Sequence, residues 1–209
     1  MPSSSRPLPL PAGSAMWDRT ALRILSCSQR LYGQHGLDTT VEQIADAAGV
    51  TADEVRSRFP TDSALLTSAL SLASRGAGER VYEARPDRGW EALRSVVYGI
   101  EALNSVPGFF LFCVDMLIGG IEKNHPAHDW ATLRFEFIDG FARHAVATGI
   151  EDGEMDPSID ADTVVRQMMG VFPAGLVSRV LKDDQAPVTI ARELLELIEA
   201  KYRVTPAAD

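Results

Sequence analysis

Thr40 with Gln43, and Thr51 with Glu54, each spell a helix-start signature in which a hydroxyl and a longer polar side chain satisfy each other's orphan backbone N–H. Two such starts this close together leave room only for short helices. Between them, Ala48-Gly49-Val50 puts a glycine where the first helix must end and the chain must turn. Val41, Ile44, Ala45 and Ala48 supply a buried side to the first helix, and Val55 to the second, which runs to Phe59-Pro60. Ala45 and Ala48 are small enough to let the two helices approach closely. Two capped helices of about two turns joined by a tight turn make a helix-turn-helix.

The rest of the chain is patterned as helix. Alternating strand patterns and Asn-Gly hairpin signals are absent. Residues 1–15 are rich in Pro and Ser and read as a disordered arm. A first helix is expected from Trp17 to Gln34, with Leu22, Ile24, Leu25, Ser28, Leu31 and Tyr32 on its inner side and Gly36 ending it. Thr61 caps a long helix over Asp62–Ala84. Further helices are expected over Arg88–Ser105, Gly108–Lys123, Ala127–Thr148, Ala161–Leu181 and Val188–Arg203, about nine in all. Pro107, Pro126, Pro157 and Pro187 sit at or near helix starts, whereas Pro173 falls inside a helix and should kink or interrupt it. Gly149 and the acidic run Glu151–Asp156 separate two of the helices.

Composition narrows the function. The chain has 209 residues and a net charge of −9, which argues against a protein that coats nucleic acid non-specifically. It leaves room for one basic face. Cys27 and Cys113 form no CxxC pair, which fits a reducing compartment. No apolar run approaches the ~20 residues of a membrane helix, and the N-terminus lacks the pattern of a signal peptide, so a cytoplasmic protein with no membrane partner is expected.

The order and spacing of these residues resembles the TetR family's N-terminal domain over Ala21–Leu70. The resemblance rests on Ile24-Leu25, Leu31-Tyr32, Gly36, Thr40-Val41-x-x-Ile44-Ala45 and Ala48-Gly49-Val50. It continues through Val55, Phe59-Pro60-Thr61 and Ala64-Leu65-Leu66. It implies an all-α protein with a three-helix DNA-binding domain over residues 16–76, and a helical ligand-binding and dimerisation domain over 77–209. By analogy with the family, a ligand in the second domain would move the DNA-binding heads of a homodimer and release a near-palindromic operator. The partners implied are double-stranded DNA, a second copy of the chain and a small-molecule effector that the sequence does not name.

A helix-turn-helix lays its second helix in the major groove. The residues placed to touch DNA are therefore Thr51, Ala52, Asp53, Glu54, Arg56, Ser57 and Arg58, while Thr40 and Gln43 begin a helix whose N–H groups can hold a phosphate. Arg56 and Arg58 suit phosphate or guanine. The chain departs from the family pattern here. Asp53-Glu54 replaces a small pair such as Gly-Thr, Arg56 replaces an aromatic, and Asp62 stands where a basic residue usually reaches a phosphate. Over residues 17–72 there are five Arg against seven Asp plus Glu, 5 − 7 = −2. Three readings of Asp53 and Glu54 remain open. They are plain capping of the helix dipole, acceptance from cytosine N4, and weakened DNA binding.

In the second domain, Trp90, Tyr98, Phe109, Phe112, Met116, Trp130, Met168 and Phe172 are the candidate lining of an apolar ligand pocket, with ordinary core as the alternative. Val165, Met169, Phe172, Leu176 and Val180, then Ile190, Leu194, Leu197 and Ile198, form apolar stripes suited to a four-helix dimer interface or to packing within the chain. His125 and His128 lack the further ligands of a metal site, and the acidic run does not match an EF-hand loop and reads as a solvated turn. No P-loop, G-x-S-x-G or G-x-G-x-x-G occurs, so neither an enzyme nor a cofactor is expected. Both cysteines are expected to be buried rather than nucleophilic.

Overall fold

The computed structural model describes residues 17–83, 88–183 and 185–204, so the expected arm lies outside it. The described residues form helices α1 (Arg19–His35), α2 (Val41–Ala48), α3 (Ala52–Arg58), α4 (Asp62–Glu83), α5 (Gly89–Asn104), α6 (Phe109–Gly119), α7 (His128–Glu151), α8 (Ala161–Leu181) and α9 (Ala186–Tyr202). Among them there is no strand, only an isolated bridge between Met155 and Arg203. No single helix is long and apolar enough to cross a membrane, and the apolar pair α5–α6 is bent by 113°.

Local chemistry sets the boundaries in the N-terminal part. The Asp18 carboxylate accepts from the Ala21 amide at 2.7 Å and starts α1. Thr40 and Gln43 close their box at 3.2 and 2.9 Å, which starts α2. Gly49, at φ +63°, ends α2 in left-handed backbone, with the Val50 amide reaching back to the Ala45 carbonyl at 3.0 Å. The Thr61 hydroxyl takes the Ala64 amide at 3.0 Å at the start of α4. Ile24, Leu25, Ile44, Val55, Leu65 and Leu70 meet behind these helices and are almost wholly excluded from water. Leu22, expected on the inner face of α1, is instead 40% exposed, because the turn that carries Ala21, Leu25 and Ser28 inward carries Leu22 outward.

That first core does not stop at the helix-turn-helix. Phe109, Phe112, Cys113 and Met116 of α6, with Ala127 before α7, belong to the same apolar cluster as Ile24 and Tyr32. The Tyr32 and Phe112 rings stack with centroids 5.1 Å apart and planes within 2°. Beside them α1 and the α5–α6 turn touch backbone to backbone. A Cβ on Gly33 would lie 2.4 Å from the Pro107 carbonyl oxygen, and one on Gly108 would lie 2.2 Å from that of Gly33. Ser63 adds a hydrogen bond of 3.1 Å to the Pro126 carbonyl.

A second core joins α5, α7, α8 and α9 around Trp90, Leu93, Ala142, Val146, Met155 and Val164. The acidic run is more than a solvated turn. Its carboxylates are exposed, but its backbone holds the end of α9, with the Asp156 amide bonded to the Tyr202 carbonyl at 2.8 Å and the Val204 amide to that of Glu154 at 3.0 Å. The Trp90 indole N–H donates to the Glu154 carbonyl at 3.0 Å, and Arg88 grips Asp152 with two hydrogen bonds of 2.8 and 2.7 Å. Gly149 does not break α7. The helix runs on to Glu151, and Gly149 is small so that Met155 can lie against it. Pro173 does not interrupt α8, which runs through it, although the ring removes one bond from the helical ladder.

These contacts give a paired expectation. Gly33→Ala, which forces a methyl into backbone, should cost about 2 kcal/mol or more of unfolding free energy. Gly140→Ala, on an open face of α7, should instead stabilise by about 0.5–1 kcal/mol. Denaturant titration of the two variants checks both signs.

Candidate DNA-binding head and effector cavity

α2 and α3 pack as a helix-turn-helix, with Val55 fully buried and Thr51, Asp53, Arg56 and Ser57 exposed, while Ala52, Glu54 and Arg58 are half-buried. Thr40 and Gln43 are spent on capping α2. The second expected box is only half made. Thr51 accepts from the Glu54 amide at 3.1 Å, but the Glu54 carboxylate does not return to the Thr51 N–H and lies 3.4 Å from Arg58. A cation one turn further along draws the acid away from the neutral amide.

Both arginines of α3 are engaged by acids. Arg56 pairs with Glu42 in the first turn of α2, and Arg58 reaches Asp18 at 3.2 Å as well as Glu54. The hydrogen bond from Arg56 holds the Glu42 carboxyl below its ordinary range. The Ala21 amide, then Arg58, does the same for Asp18. Glu42 thus sits at a helix N-terminus, where a DNA phosphate would bring its own negative charge. Asp62 is exposed at the start of α4. Burial, and behind it the charge of Asp62, pushes the Tyr32 phenol up to about 12.

The eight aromatic and methionine candidates do not converge. Phe109, Phe112 and Met116 are part of the core that joins α6 to α1. Trp90 is locked against the acidic turn, and Tyr98 is 50% exposed on α5. Met168 and Phe172 line an apolar cavity of about 30 Å³ between α5, α7, α8 and α9. Trp130 and Phe172 line a second of about 20 Å³ between α5, α6, α7 and α8. Phe172 is common to both. These spaces are those of one or two water molecules.

The aromatic tally missed Arg134, which faces the second cavity beside Cys113. The signal was in the spacing: Trp130, Arg134 and Ile138 fall at i, i+4, i+8 of one helix, so the cation interrupts an apolar row. Cys113 is buried and Cys27 half-buried. Burial pushes the Cys113 thiol up to about 12, so it stays protonated at neutral pH. The two histidines close the α6–α7 turn, His128 Nδ1 lying 2.8 Å from the Gly120 carbonyl oxygen and His125 Nδ1 accepting from the Ala127 amide at 3.2 Å. Among the described residues, no cluster of His, Cys, Asp or Glu could hold a metal. Of the expected dimer stripes, Val165 and Ile198 are buried within the chain, Met169 and Leu194 are partly covered, and Leu197 is 69% exposed. The side chains of Leu176 and Val180 lie outside the described residues.

No family model and no curated protein matches the sequence. Solved structures do match the fold. A TetR transcription regulator from Haloarcula marismortui superposes with a TM-score of 0.70 at 17% identity, over 88% of this chain and 98% of that one. The architecture is the TetR fold. A TetR transcriptional regulator from Chloroflexus aurantiacus gives 0.68 at 18% identity, over 89% and 97% of the two chains. SmeT, the repressor of a Stenotrophomonas maltophilia multidrug efflux pump, gives 0.65 at 16% identity over 90% and 93%. An N-terminal helix-turn-helix followed by a helical C-terminal domain is thus the architecture of all three and of this chain.

The head's ion pairs have a pH signature. A carboxyl with a lowered folded pKa stabilises above its ordinary range, and that contribution is lost as pH falls through the lowered value. Carbon-13 NMR titration should find Glu42 and Asp18 titrating below unpaired carboxyls. Arg56→Ala should return Glu42 to the ordinary range and leave Asp18 low. No movement of Glu42 in that variant would show that Arg56 is not its partner in solution.

Proposed function

We propose that the chain is a DNA-binding transcriptional regulator, a non-enzymatic repressor that acts as a cytoplasmic homodimer and is released from a near-palindromic operator by a small, largely apolar ligand. The observation that carries this reading is the α6 contact. One side of α6 presents Phe109 and Phe112 to α1 of the DNA-binding head, and the other presents Phe110 and Val114 to the smaller cavity in the second domain. A ligand that enlarges the smaller cavity would press on α6, whose movement would disturb the contacts with Tyr32 and Gly33 of α1. The exposed α3 residues Thr51, Asp53, Arg56 and Ser57 are the ones offered to bases and phosphates, and Leu197 on α9 supplies an uncovered apolar position for a second copy.

A second reading is favoured by the head's charge. With Arg56 and Arg58 both held by carboxylates, the domain could serve as a ligand- or partner-binding module with weak operator affinity. One experiment separates the two. The intact protein is mixed with fragmented genomic DNA at near-physiological salt, with an Arg56→Ala/Arg58→Ala double variant as control, and the retained fragments are sequenced. The regulator reading expects a recurring near-palindrome that the control loses; no enrichment over the control establishes the second reading. On a retained site, Glu42→Gln should tighten binding by roughly tenfold and steepen its salt dependence, because it frees Arg56 and removes an anion from the phosphate path.

A further inference from the structure

Arg134 carries a charge that the fold does not neutralise. The residue is partly exposed and its guanidinium nitrogens are reached by solvent, while the packing around it lowers its basicity. Among the described residues no carboxylate lies within ion-pair distance of it and no hydrogen bond leaves it. Its neighbours are the Phe137 ring, 5.3 Å from the guanidinium carbon, and the protonated Cys113 thiol. A cation only partly reached by water and without an acid beside it is open to pairing with a bound anion. This one faces a cavity whose other walls, Phe110, Val114, Leu117 and Trp130 among them, are apolar or aromatic.

That cavity ends at Phe172, which is also a wall of the purely apolar cavity next to it. Phe172 immediately precedes Pro173, where α8 lacks an N–H for its own ladder and is least able to resist a side-chain or local backbone shift. Were the Phe172 ring turned aside, the two cavities would join into one passage. It has a guanidinium at the α6–α7 end and aliphatic walls, Val97, Ile138, Val164 and Leu195 among them, at the other.

We infer that this passage is a binding site for an amphipathic organic anion, whose carboxylate pairs with Arg134 while its single apolar tail displaces Phe172 and fills the aliphatic cavity. The two N–H edges of a guanidinium match a carboxylate, and the surrounding low polarity strengthens the pair. The separate volumes are about 30 and 20 Å³, so the tail has to open the passage, and the apolar surface it buries there holds it open. The inference specifies the effector of the regulator proposed above and rests on that reading for its biological meaning. Binding is measured without DNA, so either proposal can fail while the other stands.

The test uses octanoate and decanoate with octanol and decanol as uncharged matches, each titrated into the full-length protein and followed by tryptophan fluorescence and thermal unfolding. The carboxylates should bind about tenfold or more tighter than the alcohols, and Trp130→Phe should abolish the fluorescence change. Arg134→Met should remove the preference for the carboxylate and leave alcohol binding in place. Arg134→Lys should keep part of the preference. Phe172→Ala should tighten both classes by removing the wall. Equal binding of acid and alcohol by the wild type, an undiminished preference in Arg134→Met, or no binding of any probe would each overturn the inference. Phe172→Ala weakening both classes would overturn the gate.

Discussion

The rest of the molecule depends on a place where two backbones touch. Gly33 on α1 and Gly108 at the start of α6 approach so closely that neither position has room for a Cβ, and the Tyr32–Phe112 stack closes over the contact. Apolar packing could hold a head and a body together in many orientations, because dispersion is not directional. Backbone contact beside a stacked ring pair allows very few. The α6 that results is one rigid element with two faces, one in the head's core and one toward the cavities. In such a close-packed arrangement a displacement on one side is transmitted rather than absorbed.

Electrostatics shapes the two working ends in opposite ways. At the head, cations are paired with acids of the same chain, Arg56 with Glu42 and Arg58 with Asp18 and Glu54, so under the proposed function DNA would have to compete for them. These pairs are exposed, and exposed pairs are weak enough to exchange for phosphate. In the body, the single cation Arg134 faces an apolar cavity with no acid beside it. Under the proposals made above, the first arrangement would moderate affinity for a polyanion, and the second would receive one small anion.

Legibility followed from how local the determining physics is. The glycine end of α1, the caps of α2 and α4, the glycine turn after α2 and the limits of α8 could be read from the chain because each depends on residues within a few positions. Expectations failed where a competitor lay a turn or more away. Glu54 left its capping box for Arg58, and Leu22 rotated outward beside correctly placed Ile24 and Leu25. The aromatic residues were recognisable as apolar, but nothing local distinguishes Phe112, which serves the head–body joint, from Phe172, which walls a cavity, or from Tyr98, which faces solvent. The acidic run looked like a free turn because its side chains are charged, whereas its structural role belongs to its backbone. Arg134 is legible only from its place in the Trp130–Ile138 row, because a charged residue taken alone gives no sign that it faces a cavity.

The central claim is that head and body share one core through α1 and α6. Native-state hydrogen exchange on the intact chain, measured over a range of sub-denaturing denaturant, tests it most directly. The claim predicts that the slowest amides of α1, around Ile24, Leu25 and Ser28, open only with those of α6, around Cys113 and Met116, at one common free energy and with one common denaturant dependence. If α1 to α3 exchange through a separate, lower-energy opening while α6 stays protected, the head is an independent unit and the proposed path from cavity to DNA is wrong.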